Sequence, residues 1–457
     1  MKTVWPLHVD VMPKAIDLFA GPGGLSIGLG AAGFEVIGAI EKDPEAGKTY
    51  KHNVSDHTLR KDIRKLGPEE FKDYLVGEGL LGVDERLALV AGGPPCPGFS
   101  LIGRSKISDL IRKGEYGTSK DPRHRFIDDP RNKLFEEFVK YVEHFEPHYF
   151  LMENVEGMRS YQIEEDPIVD VIKNRFSGYD VEARILNAAN FGVPQNRKRI
   201  IFLGRRLGES GPFPFPEDTG EKPMTVLDAI RDLANVEPSG DGEVTSRDTS
   251  GNSRGGRYRK LLRRWEVQRP GGEWCDSRYN GRRTCHWTRP TNSRDEVLYK
   301  FIKSGAEGAK RGFLIIPDST PKQLYGDIYP SKWPILEKAF EKAGLKTWKY
   351  RRHYVAERMY GGKKWVMYEQ EGFKDKMRRL RWDKPSHTIV AHLAKDGYMF
   401  LHPWHNRTIT VREAARFQSF PDSFEFKGPM SAQFRQVGNA VPPLMAKAIG
   451  EAILKHL

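Results

Sequence analysis

Residues 14–24 read KAIDLFAGPGG and carry the clearest structural signal in the chain. The apolar run over residues 14–20 predicts a buried β-strand, and the glycines after it predict a tight turn into a helix that closes at Gly33. In open α/β sheets such a turn lets the backbone approach a ligand at the carboxyl edge of the sheet. The stretch therefore predicts the first strand–turn–helix unit of an α/β domain.

Strand and helix signals continue to alternate up to about residue 205. Further apolar runs that predict strands are residues 34–40, 87–91, 148–152 and 199–203. Asp43 and Asp129 each precede a proline, and a capping residue before a proline at the first helical position predicts a helix start. The second of these helices extends to about Phe145. Because helices separate the strands, we expect a parallel α/β sheet.

The pattern changes after that point. Arginines and aromatic residues alternate over residues 254–287, and regular periodicity weakens. Order returns near residue 378, where a capping box that begins at Thr410 and an apolar pattern over residues 431–457 predict further helix. We expect three parts: a Rossmann-like catalytic domain over residues 12–205, a mostly irregular or β domain over residues 206–377, and a return over residues 378–457 that completes the first domain.

Length and charge limit the class of protein. The chain has 457 residues, which favours two lobes, and a formal charge of +13, which favours a polyanionic partner or serves solubility. Three scattered cysteines exclude a disulfide framework and favour a reducing setting inside the cell. A signal peptide and a membrane-spanning run are both missing from the sequence, so we expect a cytoplasmic protein without membrane contact.

The glycine-rich turn suits a nucleoside cofactor. Ser26 stands where a dinucleotide fingerprint has its third glycine, and no lysine completes a phosphate-binding loop. Glu41 ends the second strand, where an acid can accept hydrogen bonds from ribose hydroxyls. Asp62, beside Ile63, could reach an adenine amino group or could equally be a solvated surface acid. S-adenosylmethionine fits this pattern better than NAD does.

A rigid loop over residues 92–100, GGPPCPGFS, presents Cys96 at the end of the third apolar strand. A lone cysteine is more often an inert buried thiol than a nucleophile. Here, however, Glu153 follows the next strand and the run QNRKR over residues 195–199 precedes another. All three segments reach the same edge of the sheet, which favours nucleophilic chemistry at the thiol.

Six blocks of the chain together resemble the cytosine-C5 methyltransferases in content and order. They are residues 17–24, 94–96, 153–155, 195–199, 412–422 and 438–442. The resemblance covers about residues 14–205 and 378–455 and leaves the middle of the chain unassigned. Pro97 departs from the glutamine that many members carry after the nucleophile, which puts one DNA contact in doubt.

The resemblance implies a catalytic set of Cys96, Glu153, Arg197 and Arg199. Cys96 would attack carbon 6 of cytosine, and Glu153 would serve ring atom N3. Arg199, with Arg197 near it, would hold the O2 edge of the base. The target base must leave the DNA helix, because its ring atoms cannot be attacked within the stack.

The resemblance also implies the binding site for S-adenosylmethionine. Phe19 would stack on adenine, Glu41 would bind ribose, Asp62 would bind the adenine amino group, and Asn439 with Val441 would lie near the methionine end. The full expected set is Phe19, Gly21, Gly23, Gly24, Glu41, Asp62, Ile63, Pro94, Asn439 and Val441. Cys275, Cys285 and His286 lack regular zinc-ligand spacing, so no metal is expected.

The expected function is site-specific methylation of duplex DNA in a prokaryotic restriction–modification system, with a restriction endonuclease that acts on the same site as partner. The basic loop over residues 101–129 would close over the DNA, and residues 206–377 would recognise the target. The alternatives are an RNA (tRNA) methyltransferase of the same family and a non-catalytic DNA-binding relative. An NAD oxidoreductase is the weakest rival, because Ser26 breaks the dinucleotide fingerprint.

Overall fold

The computed structural model describes most of the two terminal parts of the chain and pieces of the middle. The described residues are 12–95, 134–160, 162–163, 166–209, 211–233, 240–243, 254–265, 282–286, 288, 378–395 and 397–457. Cys96, Pro97, Cys275, the helix start at Asp129 and the loop over residues 101–129 lie outside them. The predictions made for those residues therefore stay predictions.

A seven-stranded sheet forms the centre of the fold, with strand order β3-β2-β1-β4-β5-β7-β6. Its strands are β1 Lys14–Leu18, β2 Glu35–Ile40, β3 Thr58–Leu59, β4 Leu89–Gly92, β5 Tyr149–Val155, β6 Tyr179–Asn187 and β7 Lys198–Arg206. Neighbouring strands from β3 to β5 pair in parallel, whereas β7 pairs antiparallel with both β5 and β6. The α/β class is confirmed.

The expectation of an all-parallel sheet is wrong for β7. Only residues 188–197 connect β6 to β7, and they contain the short 3-10 turn Ala188–Phe191. A parallel crossover needs a dozen or more residues, commonly with a helix, so the chain turns back and β7 runs antiparallel.

The described part of the chain contains ten α-helices. They are α1 Gly24–Ala32, α2 Pro44–Asn53, α3 Pro68–Gly77, α4 Leu134–Phe145, α5 Ile168–Asn174, α6 Val226–Ile230, α7 Arg254–Arg264, α8 Val411–Phe417, α9 Met430–Asn439 and α10 Pro443–Leu454. Two predicted starts are confirmed: Asp43 accepts from the backbone N–H groups of Glu45 and Ala46, and Thr410 forms a reciprocal capping box with Glu413. None of the helices in the described part of the chain has the length and apolar composition needed to cross a membrane.

Short elements complete the described structure. The other 3-10 turns are Ile63–Lys65, Glu156–Ser160, Arg231–Leu233, Ala391–Ala394 and Tyr398–Phe400. Three short strand pairs are Gln162–Ile163 with Asp166–Pro167, Gln195–Asn196 with Ser386–His387, and Gly240–Glu243 with Arg282–His286. The continuous helix expected over residues 431–457 is instead two helices, because the prolines at 442 and 443 lack the N–H that would continue α9.

The return at the C-terminal end of the chain packs directly on α1. A Cβ atom at Gly28 would lie 2.4 Å from the Ala446 Cβ atom and 2.5 Å from the Pro443 carbonyl oxygen. Leu25 and Leu29 of α1 share one buried apolar cluster with residues of α10, including Ile449. The two backbones can approach this closely only because residue 28 has no side chain.

Buried charges join the middle of the chain to the return. The Arg416 guanidinium pairs with Asp422 at 2.6 Å and with Asp232 at 2.5 Å, and none of the three side chains is more than 1% exposed. Arg263 also pairs with Asp232, and the Tyr258 hydroxyl donates to the Arg416 carbonyl oxygen. Removing one partner of such a buried cluster leaves an uncompensated charge and costs about 3–5 kcal/mol.

Two observations change the interpretation of the basic middle segment. Part of it is the helix α7, which the sequence did not predict, and two of its members, Tyr258 and Arg259, are buried in the protein rather than free to meet phosphates. Cys285 and His286 are buried too: the thiol donates to the Phe426 carbonyl oxygen, and the imidazole hydrogen-bonds the Thr410 hydroxyl. The described residues contain no group of three or more side chains that could hold a metal ion.

A matched pair of substitutions in α1 tests the packing of the return. Gly28→Ala should destabilise the protein by about 1–3 kcal/mol, because the new methyl group overlaps backbone atoms of α10. Gly30→Ala should be neutral or stabilising by up to about 1 kcal/mol, since a Cβ atom there meets no atom within 4 Å. Urea unfolding of both variants measures the difference, and equal stabilities would contradict the packing.

Candidate active site

The turn after β1 holds a strained residue at the expected cofactor site. Phe19 is half-buried and has φ 60, a left-handed conformation that bulky side chains rarely adopt. Backbone strain of this kind costs about 1–3 kcal/mol and concentrates at ligand-binding positions. Gly21, at φ 56, continues the turn, and a Cβ atom there would meet no atom within 4 Å among the described residues.

The two glycines that follow serve close packing. A Cβ atom at Gly23 would lie 2.7 Å from the Val54 side chain of the segment after α2. A Cβ atom at Gly24 would lie 2.3 Å from the Val441 carbonyl oxygen. The structure thus brings Gly24 and Val441 together, although more than 400 residues separate them in the sequence. Asn439, two residues before Val441, is exposed.

Glu41 fixes the shape of this turn. Its carboxylate accepts hydrogen bonds from the backbone N–H of Gly21 at 2.7 Å and from that of Asp43 at 2.5 Å. Burial raises the pKa of the Glu41 carboxyl above its usual range. Each carboxylate oxygen has a further lone pair, so the group can hold the turn and still accept a bond from a ligand hydroxyl.

Asp62 is an ion-paired residue rather than a solvated surface acid. Its side chain is 12% exposed, accepts from Arg64 and pairs with Lys42 at 2.7 Å. Hydrogen bonds from Arg64 hold the pKa of the Asp62 carboxyl far below its usual range. Ile63 points into the apolar core and is 4% exposed.

The loop that carries Cys96 is anchored at its start by both neighbouring strands. A Cβ atom at Gly92 would lie 2.4 Å from the Leu18 carbonyl oxygen, so β4 presses closely on β1. The Asn154 side-chain amide donates to the Pro94 carbonyl oxygen at 3.1 Å. Pro94 is buried and Pro95 is exposed.

Glu153 and Arg199 face each other at the same edge of the sheet. The Arg199 Nε atom lies 2.7 Å from the Glu153 Oε1 atom, and the two side chains are 12% and 13% exposed. A Cβ atom at Gly93 would lie 3.2 Å from Glu153 Oε2, which places the carboxylate beside the start of the cysteine loop. The antiparallel pairing of β7 with β5 produces this meeting, because it sets Arg199 opposite Val155.

Arg197 does not join this pair. It is 1% exposed, and its guanidinium donates to the carbonyl oxygens of Ile389 at 2.9 Å and Gly438 at 3.2 Å. The guanidinium of Arg197 therefore does not lie where the resemblance places it, beside the edge of the target base. Arg197 instead joins the chain just before β7 to the return.

Gln195 has a structural role that its sequence context did not predict. Its side-chain amide donates to the Phe417 carbonyl oxygen at 3.0 Å and accepts from the Ile389 backbone N–H at 2.7 Å. It also donates to Gln418, whose own amide donates to the Val437 carbonyl oxygen. The only sequence signal was that both glutamines belong to blocks of the family pattern.

A sequence profile described as C-5 cytosine-specific DNA methylase matches residues 13–455. The chain belongs to this family. It is a DNA (cytosine-5-)-methyltransferase with an α/β fold.

Relatives of this methyltransferase match over nearly its whole length. The type II methyltransferase M.AgeI of Thalassovita gelatinovora is 32% identical, over 96% of this chain and 99% of that protein. The type II methyltransferase M.DdeI of Desulfomicrobium norvegicum is also 32% identical, over 96% of this chain and 88% of that protein. A crystal structure assigned as a DNA modification methyltransferase of a prophage (E. coli) has TM-score 0.65 and 23% identity, over 97% of this chain and 99% of that one. That last likeness supports the fold.

The two neighbouring arginines of this methyltransferase should respond differently to substitution. Arg197→Met should destabilise the fold by about 2–5 kcal/mol, because it leaves two buried carbonyl groups without their donor. Arg199→Met should destabilise the protein less than Arg197→Met, since the Arg199 side chain keeps 12% exposure whereas Arg197 is 1% exposed. It should instead lower methyl transfer at least about 100-fold, because a cation at the site is lost.

Thermal unfolding together with single-turnover methylation separates the two effects. Equal loss of stability in both variants, or full activity of Arg199→Met, would overturn the division of roles.

Proposed function

We propose that the protein transfers the methyl group of S-adenosylmethionine to carbon 5 of a cytosine flipped out of duplex DNA, through a covalent bond between Cys96 and cytosine carbon 6. The observation that carries this proposal is the Glu153–Arg199 pair beside the anchored start of the cysteine loop. An acid, a cation and a loop-borne thiol at one sheet edge are the groups that addition to a pyrimidine ring requires.

The residues of the first turn fit S-adenosylmethionine. Phe19 offers an aromatic face held by strained backbone, and the space around Gly21 is open among the described residues. Glu41 offers spare acceptor capacity for ribose hydroxyls, and Asp62 offers a carboxylate for the adenine amino group. The packing of Gly24 on Val441 places the return against the same turn, so Asn439 and Val441 are proposed near the methionine end.

The chemistry divides among three side chains. Cytosine carbon 5 is a weak nucleophile, and the Cys96 thiolate activates it by bonding to carbon 6. Glu153 supplies a proton to N3 as electrons move onto the ring, and Arg199 stabilises the O2 edge and the thiolate. When bound, S-adenosylmethionine supplies the methyl group that carbon 5 accepts. A base then removes the proton from carbon 5, N3 returns its proton to Glu153, and the thiolate leaves by β-elimination, which restores the aromatic ring and the free enzyme.

Duplex DNA is the proposed substrate, and the charge of the chain supports it. The formal charge of +13 suits a phosphate backbone, and Arg257 and Lys260 of α7 are exposed. Residues 206–377 are proposed to recognise the target sequence, and residues 101–129 to close over it. These ranges also define the proposed domains, with catalysis in residues 12–205 and 378–457.

The biological role proposed is protection of DNA in a restriction–modification system. The support is that M.AgeI and M.DdeI, similar over almost their whole lengths, are type II methyltransferases. A restriction endonuclease of the same specificity would then be the partner, and methylation of the cell's own DNA would place the enzyme in the cytoplasm of a prokaryotic host.

Trapping with 5-fluorocytosine tests the covalent step. Fluorine at carbon 5 cannot leave as a proton does, so the wild-type protein should remain bonded to a cognate duplex that contains 5-fluorocytosine. Gel electrophoresis under denaturing conditions, in the presence of S-adenosylmethionine, should show the adduct. Glu153→Gln should form it at least about 100-fold more slowly.

Cys96→Ala is the matched control, because it removes the nucleophile and should leave DNA binding unchanged. An adduct with Cys96→Ala, or the same rate with Glu153→Gln, would refute the assigned roles. Methyl transfer to tRNA in preference to duplex DNA would refute the proposed substrate.

A further inference from the structure

Asp17 is a buried acid with one unused oxygen. It lies on β1, two residues before Phe19, and is 1% exposed. Its Oδ2 atom accepts a hydrogen bond from the Ser26 hydroxyl at 2.5 Å. Its Oδ1 atom is buried and has no hydrogen-bond partner among the residues that the structure describes. A buried carboxyl with a free acceptor is costly unless it carries a proton or meets a cation.

A second hydrogen bond fixes the direction of this network. The Ser26 oxygen also lies 2.8 Å from the Tyr50 hydroxyl, and Tyr50 is fully buried on α2. Ser26 has one proton, and Asp17 Oδ2 accepts it both in a carboxylate and in a carboxyl that is protonated at Oδ1. Ser26 therefore donates to Asp17 and accepts from Tyr50. The protons of both hydroxyl groups are thus directed toward Asp17, and the chain of bonds ends at its Oδ2 atom.

Within the described part of the chain, the groups that act on Asp17 include a second acid, Glu41, and no cation. Ser26 comes from α1, Tyr50 from α2, and Glu41 follows β2, while β4 contributes only the apolar residues paired with β1. Burial, with a further contribution from the charge of Glu41, raises the pKa of Asp17 to about 7 despite the bond from Ser26. Burial also raises the pKa of Glu41. Two charged carboxylates here would repel each other, which favours a proton on Asp17.

This acid pair lies directly at the turn proposed for the cofactor. Glu41 binds the Gly21 backbone N–H, and Asp17 belongs to the strand that leads into Phe19. S-adenosylmethionine carries a sulfonium and an ammonium group, both positive. A positive ligand near two buried acids favours their charged forms.

We propose that Asp17 holds a proton in the cofactor-free enzyme and releases it to solvent when the cationic cofactor binds. The O–H bond of the Asp17 carboxyl breaks, the proton goes to the buffer, and the carboxylate stays as a counter-charge. Asp17 is thus a positioning residue that links cofactor affinity to pH. This inference rests on the proposed use of S-adenosylmethionine.

The sign of the pH dependence follows from this linkage. Below the pKa of Asp17, cofactor binding must expel a proton, whereas above it the carboxylate is already formed. The dissociation constant for S-adenosylmethionine should therefore rise about tenfold from about pH 8 to about pH 6 through Asp17. Asp17→Asn keeps the size of the side chain and an acceptor for Ser26, so it should lose this contribution.

Isothermal titration calorimetry tests the proposal directly. Wild type and Asp17→Asn are titrated with S-adenosylmethionine in buffers of different ionisation enthalpy, from about pH 6 to about pH 8. The cofactor's own amino group contributes equally to both proteins, so the difference between them isolates Asp17. We expect wild type to release close to one additional proton at the lower pH and almost none at the higher pH.

A second variant and a measurement on wild type protect the test against a folding defect. Ser26→Ala removes a bond that favours the charged carboxyl, so it should move proton release to higher pH, which a purely structural role would not do. Infrared difference spectra of the wild-type protein should lose the carbonyl stretch of a protonated carboxyl on cofactor binding. Tight binding with equal proton release in all proteins would overturn this inference alone. The lack of any binding at any pH would overturn the proposed cofactor instead.

Discussion

The buried contacts of Gln195 and Arg197 hold the two ends of the chain together, and the site depends on them. Their side chains donate to the backbone carbonyl oxygens of residues 389, 417 and 438, all in the return. Hydrogen bonds from a charged donor contribute about 1.5–3 kcal/mol each. A guanidinium taken out of water tolerates burial only when such acceptors are in place. The return therefore docks in one position on the catalytic sheet.

The docking position of the return also affects the turn after β1 and the sheet edge that holds Glu153 and Arg199. Gly28 and Gly24 let α10 and the segment around Val441 approach α1 closely, next to the turn that holds Phe19. On the other side, the same strand approach that buries Arg197 delivers Arg199 to Glu153. Arg197 thus holds the two ends of the chain together, and Arg199, two residues later, lies beside Glu153.

Local signals in the sequence predicted much of this architecture. Five of the seven sheet strands, the Asp43 cap and the Thr410 capping box depend on neighbouring residues, and the structure confirms them, whereas β3 and β6 were not predicted. The direction of β7 depends on the length of one connection, and the break after α9 depends on two prolines. Hydrophobic periodicity indicates neither of these features. The arginines were hardest to assign: burial of Arg197, Arg259 and Arg416 depends on partners that lie up to about 240 residues away in the chain.

The central claim is that this sheet edge performs chemistry at carbon 5 of cytosine in DNA. Its most direct test is mass spectrometry of nucleosides from duplex DNA incubated with the purified protein and S-adenosylmethionine whose methyl group carries deuterium. The account predicts deuterated 5-methyl-2′-deoxycytidine as the labelled nucleoside. Label in N4-methyl-2′-deoxycytidine or N6-methyl-2′-deoxyadenosine, or no label in a DNA that contains every candidate target sequence, would contradict it.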